Sequence, residues 1–86
     1  MGGEDQKAAR SAQLLAVAAV MSSQSGREFM HRCLMQAHVF VSVFDEDVVK
    51  HAFNAGRRES GLFMERELKA AAPDQYWLMM KENDHG

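Results

Sequence analysis

The sequence predicts an all-α protein, a small bundle of about four helices, and three observations carry that prediction. Ile and Thr are absent, while Ala, Met, Glu and Lys are plentiful, a balance that favours helix over sheet. Apolar residues recur three and four positions apart in successive segments, the period of an amphipathic helix. The single proline, Pro73, stands close to the end, so nothing of its kind interrupts the helices before it.

Met1 to Asp5 is polar and Gly-bearing, a lead expected to fray; residues 6–86 are expected to form one helical domain. The first helix is predicted over about 6–21, where Leu14, Leu15, Ala18 and Met21 share a face. Ser22 to Gly26 breaks the pattern, and a serine there can cap the next helix by accepting a bond from an unpaired amide. That second helix, about 24–38, places Phe29, Met30, Cys33, Leu34 and Ala37 on an apolar side, with Arg27, Glu28, Arg32 and Gln36 elsewhere.

Residues 39–44, Val-Phe-Val-Ser-Val-Phe, are β-like but too few for an independent sheet. They read as an extended connector whose rings plug the core. Asp45, Glu46 and Asp47 are a helix start, with acids where the helix dipole favours them. The third helix is expected over about 46–71, with Val49, Phe53, Gly56, Ser60, Phe63 or Met64, and Leu68 on one face. Gly56 and Gly61 lie inside it, each costing about 1 kcal/mol relative to Ala. With Ala52 and Ser60 they suggest close approach by another backbone. Pro73 ends this helix and suits the first turn of a fourth, about 73–82, in which Tyr76, Trp77, Met79 and Met80 form the apolar side.

Of the 86 residues 47% are apolar, but 12 of these are Ala, so the core is modest and burial against a partner would strengthen it. A net charge of −2 argues against a free-standing, non-specific nucleic-acid binder. The longest wholly apolar run, Leu14 to Met21, is far short of the roughly 20 residues of a membrane span. Glu4 and Asp5 are out of keeping with the positive start of a signal peptide.

Tests for chemistry point away from an enzyme. His31, His38, His51 and His85 make no metal-binding pattern, although His31 and His38 fit one helix face near Glu28. Cys33, the one cysteine, sits on an apolar stripe as a core thiol would. Glu65 and Glu67 are two apart on a helix and face different ways. No catalytic residue, cofactor or metal is expected. The candidate interaction residues are Gly56, Arg57, Arg58, Gly61, Phe63, Tyr76 and Trp77. Arg57 and Arg58 suit ion pairs with Glu59, Glu65 or the Asp45–Asp47 cluster, or else a phosphate or acidic partner. The seven methionines suit core filling or an adaptable binding surface.

Ser-Gln-Ser-Gly-Arg-Glu-Phe-Met (23–30), His-Val-Phe (38–40), Phe44, Phe-Asn-Ala-Gly-Arg-Arg-Glu-Ser-Gly-Leu (53–62) and Ala-Ala-Ala-Pro-Asp-Gln-Tyr with Met79 together resemble a family of short tailed-bacteriophage proteins typified by one from a Bordetella phage. The resemblance runs from about Ser22 to Glu82, and its most specific element is Gly56-Arg57-Arg58-x-x-Gly61-Leu62. The chain departs from the family's more usual Pro at Gln24 and Ser at Val43, which touches a helix start and a connector. The resemblance implies a helical product of late head-and-packaging genes, without known catalysis. The expected function is therefore a non-enzymatic virion or morphogenesis protein that oligomerises with itself or docks on a larger virion component, in the host cytoplasm during assembly or in the virion. A DNA-contacting module using Arg27, Arg32, Arg57 and Arg58 in packaging or ejection is the alternative, and a regulator of a host protein is the more remote one.

Overall fold

The computed structural model describes residues 3–40 and 48–84. The helices are α1 (Gly3–Met21), α2 (Gln24–Gln36), α3 (Val48–Ala71) and α4 (Pro73–Glu82). They account for 88% of the described residues, among which there is no strand. Most of the expected 39–44 connector, and the Asp45–Asp47 helix start, lie outside the described residues. Gly3 to Asp5 belong to α1 instead of the expected lead, with Glu4 and Asp5 in the first turn beside the unpaired amides.

The break between α1 and α2 is tighter than the run 22–26 suggests. Ser23 is the N-cap, its hydroxyl accepting a 3.0 Å bond from the Gly26 amide. Gly26 therefore lies inside α2. A Cβ there would run into the Val20 backbone carbonyl, so only glycine lets the second helix start so close to the end of the first.

Helix α2 stops at Gln36, two residues before the expected end. Val39 N–H donates to the Leu34 carbonyl and His38 N–H to the Met35 carbonyl, the two bonds of a Schellman motif. His38 takes the left-handed conformation (φ 59°) that the motif requires and that glycine adopts more cheaply. The motif's usual apolar contact is formed by residues of the core, Leu34 and Val39.

The core consists of Met21, Leu34, Ala37, Val39, Leu68, Ala72, Tyr76 and Met79, with Val17, Met30, Leu62, Met64 and Met80 packed around it. Three expectations about apolar faces need correction. Leu15 and Phe29 are exposed, because the buried sides of α1 and α2 run through Val17 and Met21 and through Arg27, Met30 and Leu34. On α4, Trp77 points outward while Tyr76 and Met79 are buried. The largest difference is on α3. Its inward side carries Arg58, Gly61, Glu65 and Leu68, and the expected face of Val49, Phe53, Gly56, Ser60 and Phe63 is turned away from the core, only Leu68 of that set being buried.

Gly61 explains that choice. A Cβ there would overlap the Ala37 and Val39 side chains, so α3 is pinned by its glycine against the end of α2. Gly56 meets nothing within 4 Å, and the small-residue row of Ala52, Gly56 and Ser60 is exposed instead of packed within the chain.

The molecule is flat. Its Cα extents are 47 × 36 × 15 Å and its radius of gyration is 15.2 Å, against about 12 Å for a compact chain of this length.

The two α3 glycines should therefore respond oppositely to alanine in chemical-denaturation experiments. Gly61→Ala should lower stability by about 1–3 kcal/mol through overpacking. Gly56→Ala, measured at low protein concentration, should raise it by about 0.5–1 kcal/mol through helix propensity. His38→Gly should stabilise by about 1 kcal/mol by relieving the left-handed histidine; a loss would contradict the C-cap assignment.

Candidate functional site

Two arginine–carboxylate pairs hold the helices in place and shape the surface they leave open. Arg27, buried near the start of α2, donates from Nε and Nη2 to the two Glu82 carboxylate oxygens at 2.8 and 2.9 Å. Its Nη1 donates to the Met21 carbonyl at 3.0 Å. One side chain thus joins the end of α1, the start of α2 and the end of α4. Burial of a charge is tolerated here because the pair is bidentate and a further donor is used. Arg10 makes a second bidentate pair with Glu67, at 2.6 and 2.5 Å, between α1 and α3. Hydrogen bonds from the arginines hold the Glu82 and Glu67 carboxyls below the ordinary carboxylate range.

The expected interaction residues separate into two groups. Gly61 and Tyr76 are structural. Tyr76 is buried, donates its hydroxyl to Glu65 Oε2 at 2.7 Å, and lies under the Lys69 ammonium at 5.0 Å. Burial pushes its phenol above the usual range. Gly56, Phe63 and Trp77 are on the surface, and Trp77 packs edge-on against Tyr76. Arg57 and Arg58 stand between these groups. Arg57 donates to the Gln36 carbonyl at 2.6 Å and lies over the Phe53 ring at 5.6 Å, so it caps the open end of α2; the Asp45–Asp47 cluster expected to pair with it lies outside the described residues. The buried Arg58 Nε has no hydrogen-bond partner among the described residues.

What stands out is apolar surface. Val49, Phe53, Phe63 and Trp77 are 78%, 64%, 56% and 62% exposed, and Leu15, Val20, Phe29, Met35, Phe40 and Leu78 are exposed as well. Among the described residues that is more large apolar side chains exposed than fully buried. Scattered exposed leucines mean little, whereas large apolar side chains grouped on one helix face are less common on a protein surface. Phe53, Gly56, Ser60 and Phe63 follow one another at three- and four-residue spacing along α3, and Phe29, Cys33, Arg57 and Ser60 line a shallow groove beside it.

Other candidates resolve differently. Cys33 is only half-buried, at the edge of that groove. Of the methionines, Met21 and Met79 fill the core, Met30, Met64 and Met80 pack against it, and Met35 is exposed. A groove of about 870 Å³ between α2 and the end of α4 is lined by Glu28, His31, Met35, His38, Phe40 and Met80 among others. His31 stacks on Phe40 at 5.6 Å. His38 lies past the helix end, so the two histidines do not share a helix face. Among the described residues no group of three or more His, Cys, Asp or Glu is placed to hold a metal ion. No helix among them is long and apolar enough to cross a membrane.

Four helices tied by a buried arginine clamp, with large apolar side chains exposed among the described residues, define a small all-helical protein. Residues 17–81 match the model of the Bbp19-like phage protein family, and the chain belongs to that family. It is a bacteriophage protein, as the resemblance of residues 22–82 implies. No curated protein and no solved structure gives a significant match.

The clamp makes a pH-dependent contribution to stability. Because both carboxyls titrate lower in the folded chain than their ordinary value of 4.5, what they add is complete above about pH 4.5 and is lost as pH falls through their folded values. Thermal melts between pH 7 and pH 3 should show a steep acid loss of stability. Arg27→Met should lower stability at pH 7 and flatten that loss; an unchanged acid limb would contradict the role of the pair.

Proposed function

We propose that this protein is a non-enzymatic virion or morphogenesis component of a bacteriophage, a helical module that associates with itself or docks on a larger virion protein. The observation that supports this most strongly is the outward-facing apolar side of α3, with Phe53 and Phe63 more than half exposed on a plate whose Cα atoms span only 15 Å in thickness. Such a surface is costly in water and is characteristic of an interface. The family membership supplies the setting, a phage protein. The site is in the host cytoplasm during assembly or in the particle.

The alternative of a DNA-contacting accessory in packaging or ejection draws less support. Of its four arginines, Arg27 is buried in the Glu82 clamp and Arg57 is engaged with Gln36. Arg32 is exposed and lines grooves with Arg57 and with Lys81. A few cations on a chain of net charge −2 would give only weak, salt-sensitive affinity.

Quantitative mass spectrometry of purified particles and of assembly intermediates from the source phage tests the assignment. The chain should be present in several copies in one or both. Its absence from both, with retention on duplex DNA that weakens steeply with salt, would reverse the order of the two functions.

A further inference from the structure

We propose that the shallow groove between α2 and α3 is a docking site for an acidic segment of a larger virion protein. Arg32 and Arg57 hold the segment's carboxylates, and Phe29, Cys33 and Ala37 receive one large apolar side chain set among them. This deepens the docking form of the function above and rests on it.

The groove is one-sided in charge. Phe29, Arg32, Cys33, Gln36 and Ala37 reach it from one face of α2, at offsets of three and four residues, and Arg57 reaches it from α3. Arg32, Arg57 and the Gln36 amide can all donate, and no carboxylate lines the groove among the described residues. The ion pairs among those residues belong to Arg10, Arg27 and Lys69, so Arg32 and Arg57 have no carboxylate partner there. Glu28, one turn before Arg32, lines the larger groove on the other side of α2. That larger groove mixes both signs, Glu28 and Asp84 beside Arg32 and Lys81, and so selects no partner by charge.

The end of α2 would ordinarily repel an anion, because its last carbonyls are the negative pole of the helix. Here those four carbonyls are occupied. Ala37 N–H donates to Cys33, Val39 N–H to Leu34 and His38 N–H to Met35, while Arg57 Nη2 donates to Gln36. Arg57 thus brings a full positive charge to that pole and is held there over the Phe53 ring. A guanidinium has five N–H donors, and its one bond to Gln36 leaves others for a carboxylate. Because it is held in advance, it loses little freedom when a segment binds.

Size and floor choose the occupant. The groove encloses about 430 Å³, near the small end of the range for binding clefts, so it takes a segment of chain and not the face of a folded domain. Phe29 is more than half exposed and Cys33 half-buried, which leaves apolar floor for a side chain to cover. Duplex DNA would match the arginines but has nothing apolar in its phosphate backbone to lay on Phe29 and Ala37, and a net charge of −2 opposes it. Asp or Glu beside Leu, Phe or Trp supplies both halves, with carboxylates suited to the arginine fork. A contact this small gives a Kd on the order of 10–100 μM, which several copies in one particle would strengthen by avidity.

Selection of a random-peptide display library on the whole immobilised chain tests the assignment. Recovered peptides should place Asp and Glu next to Leu, Phe or Trp. Made synthetically, they should bind the wild-type chain in titration calorimetry. Arg32→Glu and Phe29→Ala, both at exposed positions, should each weaken that binding about tenfold with unchanged helical circular dichroism, and Arg57→Gln should weaken it likewise. Bound peptide should slow the alkylation of Cys33, the chain's one thiol. A selection without binders, or binders without acidic enrichment, overturns the proposal. So do acidic peptides indifferent to Arg32→Glu and Phe29→Ala, or a Cys33 alkylated at an unchanged rate. Duplex DNA that binds where peptides fail, and weakens in the same variants, assigns the groove to phosphates instead. A chain that self-associates in sedimentation equilibrium and comes apart in Arg32→Glu puts a second copy there and overturns the choice of partner. The copy number in particles is read separately: failure here moves docking to another face and leaves the virion assignment standing, and absence from particles leaves the peptide site standing.

Discussion

The architecture depends on Arg27. Its guanidinium donates three bonds, two to Glu82 and one to the Met21 carbonyl, and the three acceptors sit on two helices far apart in sequence. The Met21 carbonyl is one that α1 cannot satisfy by itself at its C-terminal end. Arg27 therefore terminates one helix, anchors the second and closes the fourth over the core. A lysine could not do this, because a single ammonium lacks the planar fork that reaches both carboxylate oxygens and a carbonyl beside them. Gly26, immediately before it, brings α1 near enough for the third bond. The two residues act together.

With three helices fixed in this way, α3 has only one side on which it fits. Gly61 accepts the end of α2, Leu68 enters the core, and Glu65 takes the Tyr76 hydroxyl. The inward side of α3 consequently carries Arg58 and Glu65 beside Gly61, Leu62, Met64 and Leu68, while Phe53 and Phe63 stay outside. Arg10 and Glu67 secure the same orientation from α1. The exposed phenylalanines on α3 thus follow from the contacts that Gly61, Glu65 and Leu68 make on its other side.

Helix number, type and most boundaries were legible in the sequence, because caps and proline act locally: Ser23 caps α2 and Pro73 opens α4. Which face of each helix is buried was less legible. The spacing of Val49, Phe53, Gly56, Ser60 and Phe63 reveals an apolar stripe, but periodicity cannot say whether the chain itself covers it. Gly56 and Gly61 looked alike for the same reason; one is pinned and one is open. Arg27 read as a surface residue because a buried arginine depends on a carboxylate 55 positions away, which no local pattern reports. Its one sequence signal was a lone Arg beside a glycine inside a helix start. Gly26 was mistaken for part of the break, since a glycine required by a neighbouring carbonyl looks the same as one that ends a helix. The sequence groups Phe63, Tyr76 and Trp77 alike as interaction residues, whereas the structure buries Tyr76 and leaves the other two exposed.

The thinness of the molecule bears on how its helices depend on one another. In a plate only 15 Å thick at the level of its Cα atoms, lifting one helix brings water to the core. Met21, Leu34, Leu68 and Met79, the fully buried large side chains among the described residues, come from four different helices. The core therefore has no subset that survives the departure of one member. Loosening any one helix uncovers side chains supplied by the other three.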